Sequence, residues 1–112
     1  MSPALEELFD DANGDLALGD LDAAVEKYRR CTEMDATFAD GWHALGMALM
    51  KTGRFAEAIE AALKNTELRP NDLLAWSTLS ICYVKNGQIK EAESAGGKAR
   101  ILSWGGKIKK DT

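Results

Sequence analysis

Four groups of residues have types and spacings that could do chemistry, and each lacks a part that its chemistry requires. Asp11-Ala12-Asn13-Gly14-Asp15, followed by Asp22, resembles a calcium loop, in which alternating oxygen ligands wrap a hard cation. Such a loop needs glycine at its sixth position for a sharp turn; here that position is Leu16, and glycine falls at the fourth. Gly14 and Gly19 are spaced as in a phosphate-binding loop, but the Lys and Ser or Thr that would hold phosphate and metal do not follow. His43 is the sole histidine, and no nucleophile motif accompanies it, so it reads as a groove or packing residue. Cys31 and Cys82 are far apart, form no Cys-x-x-Cys and fall on apolar helical faces, which makes them small core residues rather than redox or metal groups. The expectation is a chain with no catalytic residue, no metal and no cofactor.

The elements that would position any site are helical. From Trp42 to Pro70, Trp42, Leu45, Gly46 and Leu49, then Phe55, Ala58, Ile59, Ala62 and Leu63, recur at spacings of three and four. That is one buried face on each of two helices, with Gly53 as the turn between them. The key positions recur with one fixed period on either side of this unit: Gly19, Gly53 and Gly87; Ala24, Ala58 and Ala92; Leu8, Trp42 and Trp76.

This period and pattern resemble the tetratricopeptide repeat, whose signature runs Trp-x2-Leu-Gly-x2-Tyr, then Ala-x3-Phe, then Pro. The middle repeat carries Trp42, Leu45, Gly46, Ala58 and Pro70, with Leu49 in place of Tyr and Ala62 in place of Phe. The third supplies Trp76, Leu79, Tyr83 and Ala92, with Ser80 for Gly, Gly96 for the aromatic and Trp104 for Pro. The first keeps Leu8, Ala12, Ala24 and Tyr28 in register, with Asp11 and Asp15 where apolar residues are expected. The resemblance implies an all-α, right-handed α-solenoid of three helix-turn-helix units. One domain would span 1–106, with repeats at about 5–38, 39–72 and 73–106 and a short basic tail at 107–112.

Taken in order, Ser2 reads as an N-cap with Pro3 at the first helical position. The first helix then runs to about Leu18, and Asn13-Gly14 predicts fraying or a bend within it, since glycine costs about 1 kcal/mol relative to alanine there. The second helix ends near Met34. Thr37 reads as the cap of the third, with Asp40 completing a variant capping box. The middle helices are expected at about 38–52 and 55–68, and the last pair, with Asn71 as cap, at 72–86 and 88–103. Gly96-Gly97 makes the last helix the weakest, and nothing obvious covers its outer face, so Ala92, Ala95, Ala99, Leu102 and Trp104 are expected to stay partly exposed.

Composition is that of an ordinary single domain, at 46% hydrophobic and 29% charged. The acidic start lacks the basic and apolar regions of a secretory signal, and no apolar run could span a bilayer, so a soluble cytoplasmic protein without membrane contact is expected. A net charge of −4 argues against nucleic acid. That charge is polarised: about −7 over 5–38, −1 over 39–72 and +4 from 73 onward.

Function follows from the resemblance rather than from a reactive motif. In such proteins the first helix of each repeat lines a concave groove that takes an extended or helical peptide. By register, the groove positions are Glu6, Phe9, Asp10 and Asn13; Asp40, His43, Met47, Met50 and Lys51; Leu74, Ser77, Thr78, Ile81 and Lys85. Members that grip a chaperone's C-terminal carboxylate use Lys, Asn, Asn, Lys and Arg at five positions, here Phe9, Asn13, Ala44, Leu74 and Thr78. With the cations gone, that mode is not expected. The expected function is a non-enzymatic interaction module or scaffold for a protein or peptide partner. The alternative is a homo-oligomer that self-associates through Ala95, Ala99, Leu102 and Trp104 and its opposed charged ends.

Overall fold

Ser2 opens the first helix by accepting a hydrogen bond from the Leu5 amide at 3.2 Å, and Pro3 occupies the first helical position, where a missing N–H costs nothing. In the computed structural model, which describes residues 2–108, six helices follow in sequence. They are α1 (Pro3–Ala17), α2 (Leu21–Met34), α3 (Ala39–Lys51), α4 (Phe55–Leu68), α5 (Leu73–Lys85) and α6 (Ile89–Ser103). There is no strand among the described residues. The predicted boundaries hold to within a residue or two at each end. Of the predicted basic tail, only Lys107 and Ile108 fall within the described residues.

Each pair of helices is joined by the same left-handed turn. Gly19, Gly53 and Gly87 have φ of 82°, 81° and 77°, a region that costs other L-residues about 1–2 kcal/mol. The residue after each glycine donates its N–H to the carbonyl five residues back: Asp20 to Asp15 at 2.9 Å, Arg54 to Leu49 at 2.9 Å and Gln88 to Tyr83 at 2.8 Å. These bonds satisfy the last carbonyls of α1, α3 and α5. Gly105 (φ 85°) and Gly106 repeat the motif on α6, the latter donating to Ile101 at 3.0 Å.

Three local expectations are corrected. Asn13-Gly14 neither frays nor bends α1: Leu5 and Ala12 bury its inner face, and the Tyr28 hydroxyl donates to Asn13 Oδ1 at 2.5 Å across to α2. Thr37 does not cap α3. Its amide and hydroxyl both donate to Asp35 Oδ1, at 2.9 and 2.6 Å, closing a local turn; Phe38 stands at the N-cap without a side-chain bond. Those two bonds hold the Asp35 carboxyl below its ordinary value. Asn71 does not cap α5 either. Asp72 does, accepting from Leu74 at 3.0 Å, while Asn71 Oδ1 accepts from the Ile108 amide at 2.8 Å and draws the chain after α6 back to the α4–α5 turn.

Each helix packs on its neighbours in sequence, and α3 also touches α5. That makes an inner layer of α1, α3 and α5 and an outer layer of α2, α4 and α6. The core between them is continuous through all six, with Tyr28, Leu45, Leu49 and Leu79 enclosed and each contributing about 1.5–3 kcal/mol. Trp42 and Trp76 brace the inter-repeat loops in the same way: each indole N–H donates to the carbonyl six residues before it, Ala36 at 2.9 Å and Pro70 at 2.8 Å.

Two glycine substitutions should change stability in opposite directions. Gly14→Ala, in an exposed helix interior where a Cβ meets nothing within 4 Å, should stabilise by about 0.5–1 kcal/mol. Gly53→Ala, also sterically free but at φ 81°, should destabilise by about 1–2 kcal/mol. Urea unfolding followed by circular dichroism reads both; equal signs would mean the turn conformation is not what selects glycine.

Candidate functional site

The expected groove residues divide by repeat into three kinds of surface. On α1, Asp10 and Glu6 are exposed, but Phe9 is drawn into an aromatic cluster, its ring centroid 5.7 Å from Tyr28 and 4.9 Å edge-on from Phe38. Asn13 is exposed yet already occupied by the Tyr28 hydroxyl. This end of the expected groove is acidic, and its Phe9 and Asn13 side chains are already engaged within the chain.

On α3, Lys51 is exposed, while His43, Met47 and Met50 are half-buried. Asp40 forms an ion pair with Arg69 at 2.5 Å, and the same guanidinium reaches Asp72 at 3.8 Å. Asp40 thus clips the start of α3 to the end of α4 within the middle repeat, in addition to standing at a groove position.

The α5 surface is the most open and the most apolar. Leu74 is 57% exposed and Ile81 50%, with Lys85 exposed beyond them. Val84, 52% exposed, extends the stripe and was missed by the sequence reading, although it stands one repeat after Met50 in the same register. Thr78 does not belong to the surface: at 5% exposure it is enclosed by packing, so a ligand cannot reach it. Leu74, Ile81 and Val84 fall within one face of a 3.6-residue helix, so one partner face could cover all three.

The residues expected to mediate self-association are placed differently from one another. Ala95 and Ala99 are buried within the chain, Leu102 is half-buried, and only Trp104 is open, at 77%. Ala92 is buried too, so the α6 face expected to be bare is the one packed on α5. The face that α2 and α4 bury under the next repeat carries Val25 and Ile59 at one position and Thr32 and Thr66 at another. In α6 these two positions are Glu93 and Arg100, both exposed, so its outer face is polar.

Of the acidic residues that resembled a calcium loop, Asp11 and Asp15 lie on the continuous α1 helix, with Asp15 paired to Lys27 at 2.7 Å, while Asp22 lies in the first turn of α2 and pairs with Arg54 at 3.0 Å. That hydrogen bond to Asp15 holds the Lys27 ammonium above its ordinary value. Among the described residues no helix is long and apolar enough to cross a membrane.

A model of the tetratricopeptide repeat matches residues 9–72 and again 43–106. The chain belongs to the tetratricopeptide repeat family. A curated relative, the small glutamine-rich tetratricopeptide repeat-containing protein 2 of Mycosarcoma maydis, is 33% identical over 55 residues, which are 49% of this chain and 16% of that protein. Among solved structures, a chain of the CopN–Scc3 complex aligns over 91% of this chain and 60% of its own, with a TM-score of 0.87 and 22% identity. PcrH, solved with the chaperone-binding region of PopD, aligns over 94% and 80% with a TM-score of 0.85 and 21% identity. These structural likenesses are likenesses of fold. The chain spans about a sixth of that curated relative and about 60% of the CopN–Scc3 chain.

The two tetratricopeptide-repeat cysteines are structural. Burial pushes both thiols up, Cys82 to about 11 from 9.0. At pH 8 the folded Cys82 is thiolate to only about one part in a thousand, so a thiol-disulfide reagent should label neither cysteine until urea unfolds the chain. The unfolded thiol ionises first as pH rises, so stability should be fully retained below pH 9.0 and fall between there and about 11. Rapid labelling at pH 8 without denaturant would show that the α5 core opens locally.

Proposed function

We propose that the chain is a non-enzymatic protein-interaction module whose concave groove holds a peptide or helix segment of a protein partner. The observation that carries this reading is the exposed apolar stripe Leu74, Ile81 and Val84 on the inner layer, in register with half-buried Met47 and Met50 of α3. Half-exposed Leu, Ile and Val on one helix face keep in water an area that association would remove at about 25 cal/mol per Å². Methionine beside them adapts to differing side chains. The fold supports the reading: CopN–Scc3 is a complex, and PcrH is solved with a region of PopD.

The groove is graded from acidic Glu6 and Asp10, through Met47 and Met50, to the apolar α5 stripe ending at Lys85. A ligand that matches it carries apolar anchors against α5 and a basic residue toward α1. Selection from a displayed peptide library on the immobilised chain, followed by calorimetry, tests this. Enriched peptides should show that polarity, and Ile81→Glu should weaken them by about tenfold or more while leaving helix content unchanged. Peptides insensitive to Ile81→Glu would place the binding elsewhere.

A second reading, contact between copies, is favoured by the exposure of Trp104 and Ile101 at the end of α6. Light scattering would then show mass rising with concentration, and Trp104→Ser would abolish the rise.

A further inference from the structure

The repeat register contains an internal comparison that singles out one position on the outer layer. Between the first two repeats, Arg29 of α2 reaches Glu57 of α4, Nη2 to Oε2 at 3.3 Å, and spans the seam between these outer helices. One repeat further on, the same positions are Leu63 of α4 and Glu91 of α6, above Trp76 and Leu79. Leucine cannot reach across as arginine does, and here the seam stands open. It forms a cleft of about 200 Å³ lined by Leu63, Trp76, Leu79, Tyr83, Glu91 and Lys98, among others.

The chemistry of the cleft is that of a pair with one member missing. Among the described residues Glu91 is in no ion pair, whereas its counterpart Glu57 is. Glu91 lies close enough to Tyr83 to add to the effect of burial, the larger cause, in pushing that phenol up. Lys98, the cation within the cleft, is held on the cleft's own indole wall, its Nζ 4.5 Å from the Trp76 ring centroid, and forms no ion pair with Glu91. Leu63, 38% exposed, and Tyr83 add apolar surface to the same lining. The volume is below the roughly 300 Å³ at which sites for drug-sized molecules begin, and so suits a single side chain.

We infer that this outer cleft receives an arginine side chain from a protein partner, its guanidinium pairing with Glu91 and its aliphatic stem lying against Leu63 and Tyr83. Arginine fits better than lysine because its planar fork meets a carboxylate with two N–H groups and stacks on aromatic faces, while its stem covers apolar surface. The partner supplies in trans what Arg29 supplies in cis one repeat earlier. The site lies on the outer layer, away from the concave groove, so it stands independently of the groove reading.

The test is a titration of the full chain with acetyl-leucyl-arginine amide, followed by nitrogen-edited NMR. The Trp76 indole N–H and the Glu91 and Ser94 amides should shift saturably. The citrulline analogue, equal in shape but uncharged, should bind about tenfold or more weakly, as should the arginine probe with Glu91→Gln. Leu63→Arg should recreate the Arg29–Glu57 arrangement in cis, abolish the shifts and leave the melting temperature unchanged or raised. Ile81→Glu should leave them intact. Absence of saturable shifts at roughly 10 mM probe, where a millimolar site would be filled, would overturn the inference. So would equal binding of the citrulline analogue, or shifts that persist in a folded Leu63→Arg chain.

Discussion

Close approach of the two helices within each repeat is the constraint on which the rest depends. The contact is made where small residues meet, Gly46 with Ala58 and Ser80 with Ala92, and the same positions one repeat earlier are the fully buried Ala12 and Ala24. A Cβ built on Gly46 would lie 3.5 Å from the Ala58 carbonyl oxygen and 3.7 Å from the Ala61 Cβ, so the two backbones are separated by little more than a methyl group. In the third repeat the Ser80 hydroxyl donates to the Ala92 carbonyl at 2.8 Å, turning the same proximity into a hydrogen bond. Larger side chains here would separate the helices and open the core beneath them.

Once the helices are that close, the turns between them have little latitude. Each must reverse the chain within a few residues and satisfy the carbonyls at the end of the preceding helix, and a left-handed glycine does both. The inter-repeat loops are longer and are held by side chains instead: the Trp42 and Trp76 indoles from above, and the Arg69–Asp40 and Arg69–Asp72 pairs at the side. Ion pairs on this surface contribute little individually. Their effect is to fix which helix faces which, as Arg54–Asp22 and Arg29–Glu57 do between the outer helices.

Departures from the repeat create whatever is individual about this surface. Leu63 where Arg29 stood opens an outer cleft. Ile81, where the first repeat has Asn13, and Leu74, where the first two have Glu6 and Asp40, make the α5 end of the inner layer apolar. Glu93 and Arg100, where α2 and α4 bury Val25, Ile59, Thr32 and Thr66, turn the outer face of α6 polar. The gradient from acid to base along the chain lies over all of these.

The sequence by itself determined the repeat, its period, the turn glycines and nearly every helix boundary, because these rest on local rules: helical spacing of apolar residues and the backbone freedom of glycine. It also determined that Cys31 and Cys82 are core residues, since both fall on apolar helical faces. Tertiary structure decided the rest. Thr37 and Asn71 have the right chemistry to cap a helix, but a nearby carboxylate claims the first and the returning Ile108 amide the second. Thr78 has a groove position by register and is buried, whereas Val84 is exposed, because small differences in packing around α5 decide accessibility and no local rule encodes them. Ala95 and Ala99 read as an uncovered face until the helix is turned against α5. Which side of a helix meets its neighbour is fixed by the whole stack, since each repeat buries its apolar surface only against the others.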